Sequence, residues 1–419
     1  MPEARATAAS PADRAWARKQ RRKLVVLALG AVGLAAALTA SAFVAPNHLV
    51  AATPTYTPTD PARVLAHVPP HDPEEARARA ELAAAPDSAV LAVELARADV
   101  RRARALQDPR YLGHAQATLA RWWSSAEPSP GVLQVRADVE AELHAYAAAR
   151  TDLDRLVALR PDDAQAHLTR ARVAALTADY AAARDSCAAV ARVAPALVAA
   201  TCVAPLDGLA HPAEAYATLA ALVDAHGDAD AGLRGWMLAT LGELARQRGD
   251  DAEAARRFAA ALALDADDAG ARGELADVEL ATGHVAEASR LLAGREAVDA
   301  LLVLRAIAER AAHGADAAKL AVMMRDRIAA EEERGDRTHL REDARFVLAI
   351  EDDAAGAVEI ARTSWVTQKA LADARVLAEA AAAAHDGEAA APVRAWRLAN
   401  HVVDAQLDRA LDGGGATAR

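Results

Sequence analysis

A chain of 419 residues is longer than one ordinary hydrophobic core serves, so its length predicts several domains or an elongated repeat array. Its 121 alanines and 3% aromatic content, with few runs of Val, Ile and Thr, exclude a sheet-built fold and predict an all-α one. The formal net charge of −11 argues against a nucleic-acid partner, because an acidic body repels phosphate backbones.

Residues 1–23 form a basic tail in which Arg5, Arg14, Arg18, Lys19, Arg21, Arg22 and Lys23 outnumber Glu3 and Asp13. Taking this net +5 from the total of −11 leaves −16 on the remainder, so the tail reads as a topology signal. Four lysines against 44 arginines, together with the alanine excess, suggest a GC-rich bacterial genome.

From Leu24 to Val44 the chain is uncharged, and Thr39 and Ser41 are its polar residues. At about 1.5 Å per residue these 21 residues suffice to cross a bilayer core as a single transmembrane signal-anchor helix. The basic residues before it would keep the N-terminus cytoplasmic and place everything after Val44 on the periplasmic side of an inner membrane. The sequence Ala40-Ser41-Ala42 leaves an alternative, cleavage near Ala42 and release into the periplasm. Residues 45–85 hold Pro46, Pro54, Pro58, Pro61, Pro69, Pro70 and Pro73, a density that predicts an extended spacer.

Residues 86–405 carry helical periodicity with an internal period of 34. Tyr146 and Tyr180, Ala149 and Ala183, Leu153 and Cys187, Leu156 and Val190, and Pro161 and Pro195 all repeat at that step. So do Gly242 and Ala276, Gly249 and Gly283, Ala254 and Ala288, and Phe258 and Leu292. Each unit reads as two amphipathic helices joined at a Gly or Asp, with small residues at the crossing (Ala137 with Ala149, Ala171 with Ala183, Gly242 with Ala254). Leu153, Cys187, Phe258 and Leu292 are the bulky core partners. One hairpin cannot bury both its apolar faces, so the units must stack. Residues 198–229 carry Pro205 and a slipped spacing around Ala215, Leu219 and Leu222 and predict a degenerate hairpin, and residues 406–419 read as a flexible tail.

These segments resemble tetratricopeptide repeats, most closely at 235–268, where Leu238, Leu241, Gly242, Gly249, Ala254, Phe258, Ala261 and Leu262 fill the signature places. Departures are Ala266 for the family's proline, Asp251 for its aromatic, and Arg295 where a small residue is expected. The resemblance implies a right-handed α-solenoid whose concave face, lined by the first helices, holds an extended peptide or helix of a protein partner. On that reading the candidate partner-groove residues are Gln134, His167, Arg170, Arg234 and Arg272.

Cys187 and Cys202 are the only cysteines and fall on neighbouring helices, which leaves a disulfide or two buried thiols open. The 13 histidines are scattered, and no metal motif, phosphate loop or nucleophile elbow is present, so no cofactor, no metal ligand and no catalytic residue is expected. Glu331, Glu332 and Glu333 read as a solvated helix end. The expected function is a non-enzymatic scaffold or assembly factor. The alternatives are an accessory subunit or hydrolase with its activity after Thr338, and a self-assembling structural spacer.

Overall fold

Periodicity and capping together cut this chain into helices. The computed structural model describes residues 73–412, apart from 107, 228, 336 and 337, and the described residues hold twenty α-helices and no strand. The leading helix α1 (Pro73–Ala84) precedes the hairpins α2 (Ala89–Leu106) with α3 (Arg110–Trp123) and α4 (Pro130–Glu142) with α5 (Tyr146–Leu159). Next come α6 (Ala164–Leu176) with α7 (Tyr180–Val193), α8 (Ala196–Gly208) with α9 (Pro212–Ala225), and α10 (Ala231–Gln247) with α11 (Asp251–Leu264). The second half holds α12 (Ala269–Ala281) with α13 (Val285–Leu292), and α14 (Asp299–Ala311) with α15 (Ala317–Arg334). The array ends with α16 (Leu340–Ala349) and α17 (Ala354–Thr367), α18 (Leu371–Ala383) and α19 (Ala391–Ala399), and the final helix α20 (Ala405–Leu411).

Helix starts are fixed chemically. Ser129, Asp163, Asp179, Asp230, Asp250, Asp268, Asp353 and Asp404 each accept a backbone N–H from the first turn of the helix that follows, satisfying a donor with no partner inside the helix. The turns inside hairpins need a left-handed residue, and Gly249 and Gly283 supply it at φ +80° and +83°. His144, Ala178, His313, Asp352 and His385 take the same conformation without glycine's freedom, at φ 52° to 59°.

The expected crossings are met at the expected positions. Ala137, Ala149 and Leu153 share one core cluster, and Ala171, Ala183 and Cys187 another. Gly242 lies so close to the Phe258 ring that a Cβ there would sit 2.6 to 2.8 Å from it. The degenerate segment still makes a hairpin, with Pro205 inside α8. Arg295 departs from the repeat pattern because α13 stops at Leu292, so Arg295 falls beyond the helix and pairs with Asp267 at 2.9 Å.

Several expectations are corrected. The extended spacer was expected to reach residue 85, yet Pro73–Ala84 is helical. Proline at the first helical position lacks only an N–H the helix would leave unpaired, and Glu74 and Glu75 suit the positive N-terminus. The tail from 406 was expected to be irregular, but Asp404 caps α20 and Leu407 is fully buried. The expected transmembrane segment 24–44, the basic tail and residues 45–72 of the expected spacer lie outside the described residues. No helix among the described residues is long and apolar enough to cross a membrane.

Candidate functional site

The inner face of the array is where a groove is expected, and the chain's own C-terminal helices are bonded to the hairpin turns of the first half. Gln368, between α17 and α18, accepts a hydrogen bond from the Tyr146 hydroxyl at the start of α5. The next amide, Lys369 N, donates to Leu176 O at the end of α6 at 2.8 Å. Trp396 of α19 donates its indole N–H to the Tyr180 hydroxyl at 2.9 Å, and Val403 N donates to Leu209 O at 2.8 Å. Gln247 closes the line by donating to both Gly208 O (2.7 Å) and Val403 O (3.0 Å). Four successive hairpin turns of the first half thus bond to the stretch from Gln368 to Val403. Ala178, Tyr180 and Leu209 pack against the core formed by Trp365, Leu377, Val393, Trp396 and Leu407.

Between the two halves runs a charged lumen. One cavity of about 550 Å³ is lined by Glu243, Arg246, Glu274, Asp277, Arg341, Arg345, Arg375 and Glu379. A second of about 720 Å³ shares Glu243, Glu274 and Arg341 with it and adds Trp236, Pro205, Leu206 and Ala370 to Ala372. Arg246, 4% exposed, donates to Glu274 at 2.6 Å and also to Asp277, which takes a further donor in Arg345. Burial pushes the Asp277 carboxyl up, but Arg345 and Arg246 outweigh it and hold the group well below the usual carboxylate range. Arg375 and Asp404 form a buried bidentate pair that ties α18 to the start of α20. Glu243 has no such donor. Desolvation by the surrounding protein, with Glu274 close by, pushes it up to about 7, although its side chain is exposed to the cavity.

The five candidate groove residues are not gathered in this lumen. Gln134 is buried between α4 and α6, donating to Asp138 at 3.1 Å and Thr169 at 3.3 Å. His167 is buried with Nε2 3.0 Å from Pro161 O. Arg170 bridges α5 and α7 through Asp154 (2.6 Å) and Ser186 (2.8 Å). Arg234 donates to Gly227 O at 3.1 Å, and Arg272 to Leu291 O at 2.9 Å and Ala266 O at 2.5 Å. Arg272 does line a separate cleft of about 880 Å³, with α1, α2, Asp267 and Arg295 around it. These side chains join the array's own helices. The residues that do face the lumen, Arg246, Arg341, Arg345 and Arg375, show in sequence only as charges on first helices, a signal that needs the inward face to be known.

Cys187 of α7 and Cys202 of α8 form a disulfide, Cα atoms 5.6 Å apart, linking consecutive hairpins. Glu331 departs from the expected solvated helix end. It is 6% exposed and its carboxylate lies 3.1 Å from His339 Nδ1, because α15 ends against the starts of α14 and α16. Glu332 and Glu333 are exposed.

No protein-family model and no curated protein sequence matches the chain. Among solved structures it is similar to the APC/C hetero-tetramer Cut9–Hcn1, at 11% identity and TM-score 0.37, covering 81% of this chain and 80% of that one. It is also similar to the TPR domain of P58(IPK), at 14% identity and TM-score 0.21, covering 77% of this chain and 95% of that one.

Proposed function

We propose that this protein is a non-enzymatic scaffold that binds another protein through the outer surface of its C-terminal hairpins, its inner groove being used to fix those hairpins in place. The observation that carries this reading is the line of contacts from Gln368 to Val403 along four hairpin turns, which ties the C-terminal hairpins to the first half. The lumen that remains holds cavities of about 550 and 720 Å³ in which Arg246, Arg345 and Arg375 are already paired with the chain's own carboxylates. What remains for a partner includes Val366 (80% exposed) and Leu398 (72% exposed), apolar side chains just beyond the paired indoles of Trp365 and Trp396.

The location belongs to the same proposal. The uncharged run Leu24 to Val44, preceded by Arg18, Lys19, Arg21, Arg22 and Lys23, would hold the scaffold on the periplasmic face of a bacterial inner membrane. A structural disulfide suits that oxidising compartment. The test is a photo-crosslinking amino acid placed at Val366, Leu398 or, as an internal control, Leu206, in cells carrying the full chain. One recurrent protein adduct from the two exposed positions and none from Leu206 is expected. Adducts with the same chain alone would instead favour a self-assembling spacer.

One observation favours the rival reading of an activity after Thr338: His339 meets Asp299 and Glu331, and it lines a cavity of about 350 Å³ with Asp373, Arg104 and Arg172. Hydrolysis of ester or phosphoester probes by the purified chain, lost in His339→Ala, would establish that reading.

A further inference from the structure

We propose that Asp299, Glu331 and His339 bind a divalent transition-metal cation of the zinc type, with Asp343 holding a water on its fourth position. The three side chains come from different places in the chain: Asp299 opens α14, Glu331 lies near the end of α15, and His339 is the residue before α16. Their ligand atoms all lie within 4.8 Å of one another. His339 Nδ1 is 3.1 Å from Glu331 Oε1 and 3.7 Å from Asp299 Oδ2. Tetrahedral zinc with bonds near 2.0 to 2.1 Å sets its ligand atoms about 3.3 Å apart, so small rotations of these side chains reach that geometry.

A cluster of acids alone would not distinguish a cation site from an ion-pair network; Asp343 does. It stands one helical turn after His339, its amide donating to His339 O at 3.0 Å, and is 8% exposed. Its Oδ1 is buried with no hydrogen-bond donor, and the charges acting on that carboxyl include Glu331, Glu342, His339 and Asp299. A buried acceptor with no donor, among neighbouring carboxylates, is costly unless something positive or a donor sits beside it. A cation carrying a water supplies both.

The surroundings fit as well. Arg327 pairs with the other oxygen of Asp299 and fixes the carboxylate's orientation, as second-shell donors do in metal sites. One imidazole with two carboxylates suits zinc-type cations better than calcium, which takes six to eight oxygens. Both cysteines are in the disulfide and offer no competing thiolate. Such a cation would staple α14, α15 and the start of α16, the point from which the C-terminal hairpins turn back along the groove.

The experiment is titration of Zn²⁺ into the purified, oxidised full-length chain against a chromophoric zinc indicator, after chelator treatment. One Zn²⁺ per chain is expected, with equimolar Ca²⁺ failing to displace it and the melting temperature rising with Zn²⁺. His339→Ala and Asp299→Asn should each weaken binding at least tenfold, and Asp343→Asn should do the same by about tenfold. His284→Ala, which removes an exposed histidine beside Glu279, should leave binding unchanged. Circular dichroism without metal shows whether a variant folds, and the near-isosteric Glu331→Gln gives the reading if His339→Ala does not. Absence of stoichiometric binding, binding that survives both His339→Ala and Glu331→Gln, or equal competition by Ca²⁺ overturns the proposal.

Discussion

At the scale of residues, the hairpins obey a rule of paired sizes. Positions 16 apart face each other across each crossing: Ala137 with Leu153, Ala171 with Cys187, Ala276 with Leu292, and Gly242 with Phe258. Only the largest partner faces a glycine, since a Cβ at 242 would overlap its ring. Gly242→Ala should therefore destabilise by about 1 to 3 kcal/mol, the usual cost of overpacking a core. The double variant Gly242→Ala with Phe258→Leu rebuilds the Ala and Leu pair of the neighbouring units. It should recover at least half of that loss in urea unfolding, and simple additivity of the two losses would refute the size rule. Charge gives a second expectation. Glu243 titrates near 7 in the folded chain, against about 4.3 in an unfolded one. Between those values the unfolded chain has released a proton that the folded chain keeps, so this group makes stability fall as pH rises from about 4 to about 7. Glu243→Gln should reduce the drop in melting temperature between pH 5 and pH 8; an unchanged drop would show that water in the cavity already solvates the ionised form.

At the scale of elements, capping and period made most helices legible, while the two ends of the array were misread. Pro73 was weighed with the prolines before it as a helix breaker, when a proline at the first position of a helix costs nothing. Residues 405–411 are too short for a periodic pattern, and their helix depends on partners far away in sequence. Asp404 caps α20 and pairs with Arg375, and both side chains are buried. Removing one member of a buried pair leaves the other charge uncompensated, at a typical cost of about 3 to 5 kcal/mol. Asp404→Ala should cost more than Arg375→Met with Asp404→Leu together, because the double variant leaves no charge behind. Chemical denaturation of the three chains decides it, and a double variant as unstable as Asp404→Ala would mean that the cap, not the charge, dominates. The disulfide acts on a neighbouring pair of elements. Closing a loop of sequence separation 15 stabilises by roughly 3 kcal/mol, so reduction should lower the unfolding midpoint by a corresponding amount.

At the scale of the whole molecule, a plain solenoid is quasi-one-dimensional: each unit touches its neighbours, and unfolding can proceed from the ends. This chain departs from that behaviour because its last hairpins return to its first ones. Tyr146 bonds Gln368 across 222 positions, and Tyr180 bonds Trp396 across 216. None of this was legible, since a 34-residue period reports contacts between successive units and is silent on contacts across the groove. The return contacts have a measurable consequence. Fluorescence from Trp365 and Trp396 in a chain whose other four tryptophans are replaced by Phe, which then reports the C-terminal helices, and circular dichroism, which reports all helices, should give one coincident urea transition. A chain ending at residue 338 loses the return contacts and should unfold over a broader range, from a lower midpoint. Adding the separately produced segment 339–419 should restore the midpoint, and Trp396→Phe in that segment, which removes the bond to Tyr180, should weaken its association by about 1 kcal/mol. Two separate transitions in the intact chain would instead mean that the halves fold independently and that the groove opens readily, which would return the inner face to a partner.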